Sequence, residues 1–171
     1  MERKVILGID PGLANLGYGA ISVMPRTEKL RADIQVITYG TITTCSGAPI
    51  TMRLSKIYKE LEMLINSVNP TDIAIERFIG GSTVHNRSTT CTVNQAIGAI
   101  LSCVGNYKNI PVHFFSAKEV KKNITGYGSA SKLDIQNKVK ELLLLSELPR
   151  PDHAADALAF TITYSRKNRW I

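Results

Sequence analysis

Cysteine is scarce in this chain: Cys45, Cys91 and Cys103 are odd in number and show no Cys-x-x-Cys spacing. That excludes a disulfide framework and a zinc motif, and fits reduced thiols in a cytosolic protein. Long apolar runs are missing as well. Nothing approaches the roughly 20 residues that span a bilayer. Met1-Glu2-Arg3-Lys4 runs straight into a strand pattern, without the apolar stretch of a signal peptide. A cytoplasmic location and no membrane partner are therefore expected. Repeats, low-complexity tracts and linkers are also absent, so residues 1–171 read as one domain, within the usual range of about 100–200 residues. Acidic charge is the last shortage. Asp plus Glu number 14 against 21 Lys plus Arg, a net charge of +7. Several of those acids lie in apolar stretches, which leaves the solvated surface more basic than the total. Such an excess favours a polyanionic partner, nucleic acid above all.

What is present is enough apolar material for a core, at 44% hydrophobic residues. Residues 4–10 read as a buried strand, and 17–23 as its hairpin partner after the Pro11-Gly12 turn. Residues 33–43 give a third strand, rich in β-branched residues. From Met52, the positions Leu54, Ile57, Leu61, Leu64, Ile65 and Val68 keep helical spacing until Asn69-Pro70. Asp72 to Glu76 lacks alternation and reads as a central strand. A helix is expected from about Ser88 to Val104, then a strand from Pro111 to Phe115. Ser116 and Ser131 are candidate N-caps for two further helices, the second through Leu145, and a last helix runs from about Asp152 to Tyr164 behind Pro151. The order βββαβαβ followed by helices predicts an α/β fold, a mixed five-stranded sheet flanked by helices.

Three acidic positions stand out against this background. Asp10 ends the apolar run Val5-Ile6-Leu7-Gly8-Ile9, where an Asp before Pro-Gly also suits a turn cap. Glu76 ends Ile73-Ala74-Ile75, and a buried unpaired carboxylate costs several kcal/mol on typical estimates. Arg77 is next in sequence but points to the opposite face of a strand. In the last helix, His153 and Asp156 lie within roughly 60° of each other around the axis, at about 100° per residue. Ala154, Ala155, Ala157, Leu158, Ala159 and Phe160 leave that helix otherwise apolar, so its polar positions are informative. Hard oxygen donors with one imidazole favour Mg²⁺ or Mn²⁺ over zinc. Two such ions about 4 Å apart activate a water and stabilise a leaving oxyanion in phosphodiester cleavage, chemistry that suits a basic surface. Asp10, Glu76, His153 and Asp156 are the candidate ligands.

Ile6-Leu7-Gly8-Ile9-Asp10-Pro11-Gly12 with Gly17-Tyr18-Gly19, then Ala74-Ile75-Glu76, then Asp152-His153-Ala154-Ala155-Asp156-Ala157-Leu158-Ala159 together resemble the RuvC Holliday-junction resolvases. The resemblance runs in order over nearly the whole chain. It implies a ribonuclease H-like fold, a homodimer, and symmetric paired cuts in a four-way junction with Mg²⁺, two ions per site, or Mn²⁺. By position, Asp10, Glu76, His153 and Asp156 correspond to the family's catalytic set, with His153 either a metal ligand or a positioner of water. Asp152 has no ligand counterpart and is assigned to capping its helix.

Lys121 and Lys132 fall where the family places DNA-contacting lysines, and suit phosphate contacts that position without specifying. Lys118 is a further candidate, as are Phe78 or Ile79 as a wedge at the junction centre and Arg87 beside them, with His85 nearby. The loop after Glu76 is a few residues longer than the family's pattern. The helix over 88–104 stands at the family's dimer position, although Ala96, Ile97, Gly98, Ile100 and Leu101 equally suit packing on the sheet. A branch-migration motor is a further possible partner. The competing readings are another ribonuclease H-like nuclease acting on forks, flaps or RNA–DNA hybrids, a non-cutting junction-binding module, and an actin-like or sugar-kinase ATPase. For the last, 171 residues are too few for two lobes.

Overall fold

Among the described residues, ten elements follow one another as β1 (Lys4–Asp10), β2 (Asn15–Met24), β3 (Asp33–Thr43), α1 (Ile50–Val68), β4 (Asp72–Glu76), α2 (Val84–Val104), β5 (Val112–Phe115), α3 (Ala117–Thr125), α4 (Lys132–Leu142) and α5 (Asp152–Lys167). The structure, a computed structural model, describes residues 2–27, 32–77, 84–107 and 109–171, with the side chains of α2 described from Thr90 onward. The five strands form one mixed sheet in the order β3-β2-β1-β4-β5. The β1–β2 and β2–β3 pairs are antiparallel, and β4 runs parallel to both β1 and β5.

Strand alternation sorts the core into two layers. Leu7, Ile9, Ile73 and Ile75 face α1 and α2, packing on Ile57, Leu61, Ile65, Ala96 and Ile100. Ile6 and Ala74 point the other way, onto Leu158 and Phe160 of α5 and onto Val120, Ile135 and Val139 of α3 and α4. The same period of two carries Asp10 and Glu76 to the α5 face. Parallel pairing of Ile9 with Ile75 then sets these two carboxylates side by side, one step beyond the paired strand ends.

Helix α5 lies between the sheet and α3/α4, and Ala154, Ala155 and 157–165 are all buried. Two of its hydroxyls are accommodated by its own backbone, since Thr161 donates to the Leu158 carbonyl and Ser165 to that of Thr161, whereas the buried Thr163 Oγ1 has no partner among the described residues. Two glycines let it descend this far. A Cβ on Gly8 would sit 2.0 Å from the Ala157 carbonyl oxygen, and one on Gly17 would sit 2.1 Å from that of His153. The far end of α5 is tied down by the Tyr164 hydroxyl, which donates to buried Asp72 Oδ1 at 2.7 Å.

Helix ends follow local chemistry. Asn69 stops α1 in the left-handed region (φ 49°), its N–H donating to the Ile65 carbonyl. Ser116 caps α3 through the Glu119 N–H, and Ser131 forms a reciprocal capping box with Asp134 at the start of α4. Strand β2 spans Asn15–Met24 rather than 17–23, β5 begins at Val112 rather than Pro111, and four helix limits also differ from expectation. Helix α1 begins at Ile50, two residues early, and α2 at Val84. Helix α4 ends at Leu142, because Leu144 turns to φ 52°, and α5 continues to Lys167. Within α2, Ala96 and Ile100 are committed to the core, whereas Gly98 and Leu101 are exposed. Among the described residues, no helix is long and apolar enough to cross a membrane. Cys45 and Cys91 are exposed, Cys103 is buried, and none is paired.

Candidate active site

The ends of β1 and β4 and the first two turns of α5 meet over one hollow. Asp10, Glu76, His153 and Asp156 all line a cavity of about 240 Å³. His153 Nδ1 lies 2.7 Å from Asp10 Oδ2, across 143 residues of sequence. One donor atom each from Asp10, His153 and Asp156 can be chosen so that all lie within 4.8 Å of one another. Lys121 of α3 and Lys132 of α4 form part of the wall, with Val120, Ile135 and Phe160 as its apolar part.

Crowding of acids out of water dominates the electrostatics. Burial, then the Asp10 and Asp156 charges, push Glu76 from its ordinary 4.5 up to about 7. Burial and the charge of Asp10 raise Asp156 from 3.8 to about 6. The hydrogen bond to Asp10 raises His153 against the opposing effect of burial. Asp10, Asp156 and His153 form the close trio, and Glu76 lines the same cavity beside Asp10 but lies outside that trio, so the site offers hard oxygens with a single nitrogen. Its ionised form is disfavoured by its own crowding, so the residues present fit a divalent cation of the Mg²⁺ or Mn²⁺ kind. With Nδ1 turned to Asp10, Nε2 is the imidazole nitrogen left for another partner.

The remaining candidates are distributed unevenly. Lys121 and Lys132 border the cavity, whereas Lys118 is exposed and lies outside its lining. The positions of Phe78 and Ile79, and the side chains of Arg87 and His85, lie outside the described residues. Asp152 is not the N-cap. Pro151 holds that position without a side-chain bond, because proline offers no acceptor there. Asp152 is the first helical residue instead. Its Oδ1 accepts from the His153 N–H at 3.1 Å, and its Oδ2 receives Lys132 Nζ at 2.5 Å. That ion pair lowers Asp152 and raises Lys132. Sequence reading missed it because the partners stand 20 residues apart on different helices, with no spacing to signal the contact.

Residues 6–164, a span holding all four clustered groups, match the family model described as crossover junction endodeoxyribonuclease RuvC. The chain belongs to the RuvC family. A crossover junction endodeoxyribonuclease RuvC from Caldicellulosiruptor saccharolyticus is 41% identical over 160 residues, covering 93% of this chain and 90% of that one. The RuvC of Brevibacillus brevis is 35% identical over 166 residues, 97% of this chain and 94% of its own. Among solved structures, Thermus thermophilus RuvC in complex with Holliday junction substrate superposes with a TM-score of 0.82 at 28% identity. That match covers 97% of this chain and 95% of the other. The ribonuclease H-like expectation of a mixed five-stranded sheet with flanking helices therefore holds, and the RuvC architecture extends over nearly the whole chain.

Proposed function

We infer that this protein is a crossover junction endodeoxyribonuclease that resolves four-way DNA junctions by paired, symmetric, metal-dependent cuts, with residues 1–171 acting as one nuclease domain. The observation that carries the reading is the meeting of Asp10, Glu76, His153 and Asp156 in one cavity bordered by Lys121 and Lys132. Asp10, Glu76, His153 and Asp156 would hold Mg²⁺, two ions in this reading with Mn²⁺ as a substitute, whose Lewis acidity makes a bound water more acidic and stabilises the leaving oxygen.

The protein's own groups do the rest. Asp10 holds the His153 ring in place through Nδ1, so Nε2 is the one nitrogen available, either to ligate a cation or to position the attacking water. Lys121, with no ion pair among the described residues, is the freer phosphate-binding cation. Lys132 is shared with Asp152 and meets DNA with part of its charge already offset. A homodimer gives two such sites for the two opposed strands of a symmetric junction, and the exposed Gly98 and Leu101 on α2 suit that contact. The reading places the protein in the cytoplasm and allows a branch-migration motor as a further partner.

Purified protein incubated with a mobile four-way junction, a linear duplex and an RNA–DNA hybrid, with and without Mg²⁺, tests the assignment. Paired nicks at symmetric positions in the junction alone, and only with the cation, are expected. Preferential cutting of the hybrid would replace this reading with another ribonuclease H-like activity. Binding of the junction without cutting would make the protein a recognition module.

The acid cluster also predicts how stability depends on pH. Glu76 and Asp156 both hold protons more tightly in the folded chain than their ordinary values allow. Their stabilising contribution is therefore fully present below about pH 4 and is lost as pH rises through about 6 and 7. The raised His153 has the same sign, its contribution being lost as pH rises through its folded value. Metal-free protein should thus melt at lower temperature at pH 8 than the rest of the molecule dictates. Mg²⁺ competes with those protons, so the rise in Tm that it produces should grow from pH 5.5 to pH 8. A Mg²⁺ effect that shrinks over that interval in a thermal-unfolding series would contradict the assignment.

A further inference from the structure

We propose that Arg53 binds a backbone phosphate of the cleaved strand beside the scissile one, from a second cavity on the other side of His153. The proposal rests on the nuclease reading above. This second hollow, of about 280 Å³, is lined by Gly12, Asn15, Arg53, Thr92 and His153 among others. His153 borders both cavities, so a strand crossing the acid cluster from Lys121 passes next to Arg53.

Arg53 is held as a fixed donor. Its Nε donates to Thr44 Oγ1 at 2.8 Å, and the Thr44 hydroxyl donates in turn to the Leu13 carbonyl at 2.6 Å. The Thr44 N–H bonds to the Ala14 carbonyl at 2.9 Å, and Thr44 is buried. The guanidinium is thereby tied to the β1–β2 turn that follows Asp10. That tie uses one of five N–H donors, and the planar fork left over matches two phosphate oxygens.

No counter-ion among the described residues explains the charge. Among the described residues Arg53 has no carboxylate partner. Residues 78–89, the sequence stretch that precedes Thr92, contain neither Asp nor Glu. Arg53 is a half-buried residue with no carboxylate beside it among the described residues, and a phosphate would supply the missing charge. Were Arg53 only a pin for the turn, the Nε bond alone would serve, and no contribution to the salt dependence of DNA binding would follow.

The test uses full-length protein and four-way junctions carrying one uncharged methylphosphonate at each phosphate flanking the cleavage site in turn. Arg53→Gln and Arg53→Met should both flatten the log-log salt dependence of junction binding by about one unit. For wild type, one flanking methylphosphonate should weaken binding by about tenfold, as expected for loss of a charged hydrogen bond. In the two variants that same substitution should cost less than about twofold, while Lys121→Ala retains the full penalty, because contacts at separate sites add. The Mg²⁺-induced rise in Tm should be unchanged in both Arg53 variants, separating a DNA contact from damage to the acid cluster. Should both neutral variants fail to fold, Arg53→Lys takes their place in the scan. It keeps the slope but carries a smaller methylphosphonate penalty, and a penalty equal to wild type's overturns the proposal. An unchanged salt slope, or equal penalties in wild type and Arg53→Gln at every flanking position, also overturns it. Wild-type protein that fails to cut the junction at all sinks the nuclease reading instead.

Discussion

Asp10→Asn is expected to lower junction cleavage by at least about a thousandfold while leaving junction affinity within about twofold of wild type. The amide is isosteric, and Asp10 is buried, so the fold loses little volume or packing. What disappears is the charge at the centre of the cluster. Asp10 is the partner of His153 Nδ1 and lies beside both raised carboxyls. In the proposed mechanism it is also a cation ligand. Divalent cations supply several kcal/mol of transition-state stabilisation, and each ~1.4 kcal/mol is tenfold in rate, which sets the expected scale. Single-turnover cleavage of a labelled junction at saturating protein, paired with gel-shift affinity, measures both quantities. Cleavage within about tenfold of wild type would remove Asp10 from the site. The same substitution should lower Glu76 toward ordinary values, since the Asp10 charge is the second cause of its elevation.

The second large effect concerns a residue with no side chain. Gly17→Ala should lower Tm by on the order of 10 °C and depress cleavage even in the fraction that folds. The added methyl would lie 2.1 Å from the His153 carbonyl oxygen and 2.9 Å from its Cβ, and a backbone carbonyl cannot rotate aside. Helix α5 must lift at its N-terminal end, and His153 and Asp156 rise with it. Overpacking typically costs about 1–3 kcal/mol and more when backbone must move. At about 2–4 °C per kcal/mol for a chain of this size, the Tm change follows. By contrast, Gly98 has open space around it, so Gly98→Ala should leave monomer stability intact or slightly improved. Equal melting temperatures for Gly17→Ala and wild type, by calorimetry, would show that α5 does not seat as closely as described.

Much of this architecture was legible one residue at a time. The run Val5-Ile6-Leu7-Gly8-Ile9-Asp10 reads as a buried strand closed by a carboxylate because five non-polar residues without alternation precede the acid. Ile73-Ala74-Ile75-Glu76 repeats the pattern, and the parallel register of β1 with β4 is what turns two similar sentences into neighbouring side chains. The serines before α3 and α4 were readable as caps because capping is a local bond, complete within three residues. Limits were less legible at α2 and α5, where neighbouring layers, rather than the helix's own residues, decide how far the helix extends.

Other features had no local signature. Nothing in α2 tells Ala96 and Ile100, which face the core, from Gly98 and Leu101, which face outward, until α1 and the sheet are in place. Asp152 reads as a cap from its neighbours alone, yet its strongest partner is Lys132, brought in by the packing of α4 on α5. Arg53 reads as one more basic residue on an amphipathic helix until Thr44 fixes it beside the turn after Asp10.

The sequence by itself determined the chemical inventory and its alternation: which strands end in acids, which helix is apolar enough to be buried, and which family the motifs resemble. Periodicity is a property of neighbouring residues, so it survives without coordinates. Only the tertiary structure decided that Asp10 touches His153, that Lys132 is spent partly on Asp152, and that Arg53 and His153 line one hollow. Those facts depend on distances between residues far apart in the chain, and such distances are set by how layers pack, through close approaches such as Gly17 against α5, rather than by any spacing along the sequence.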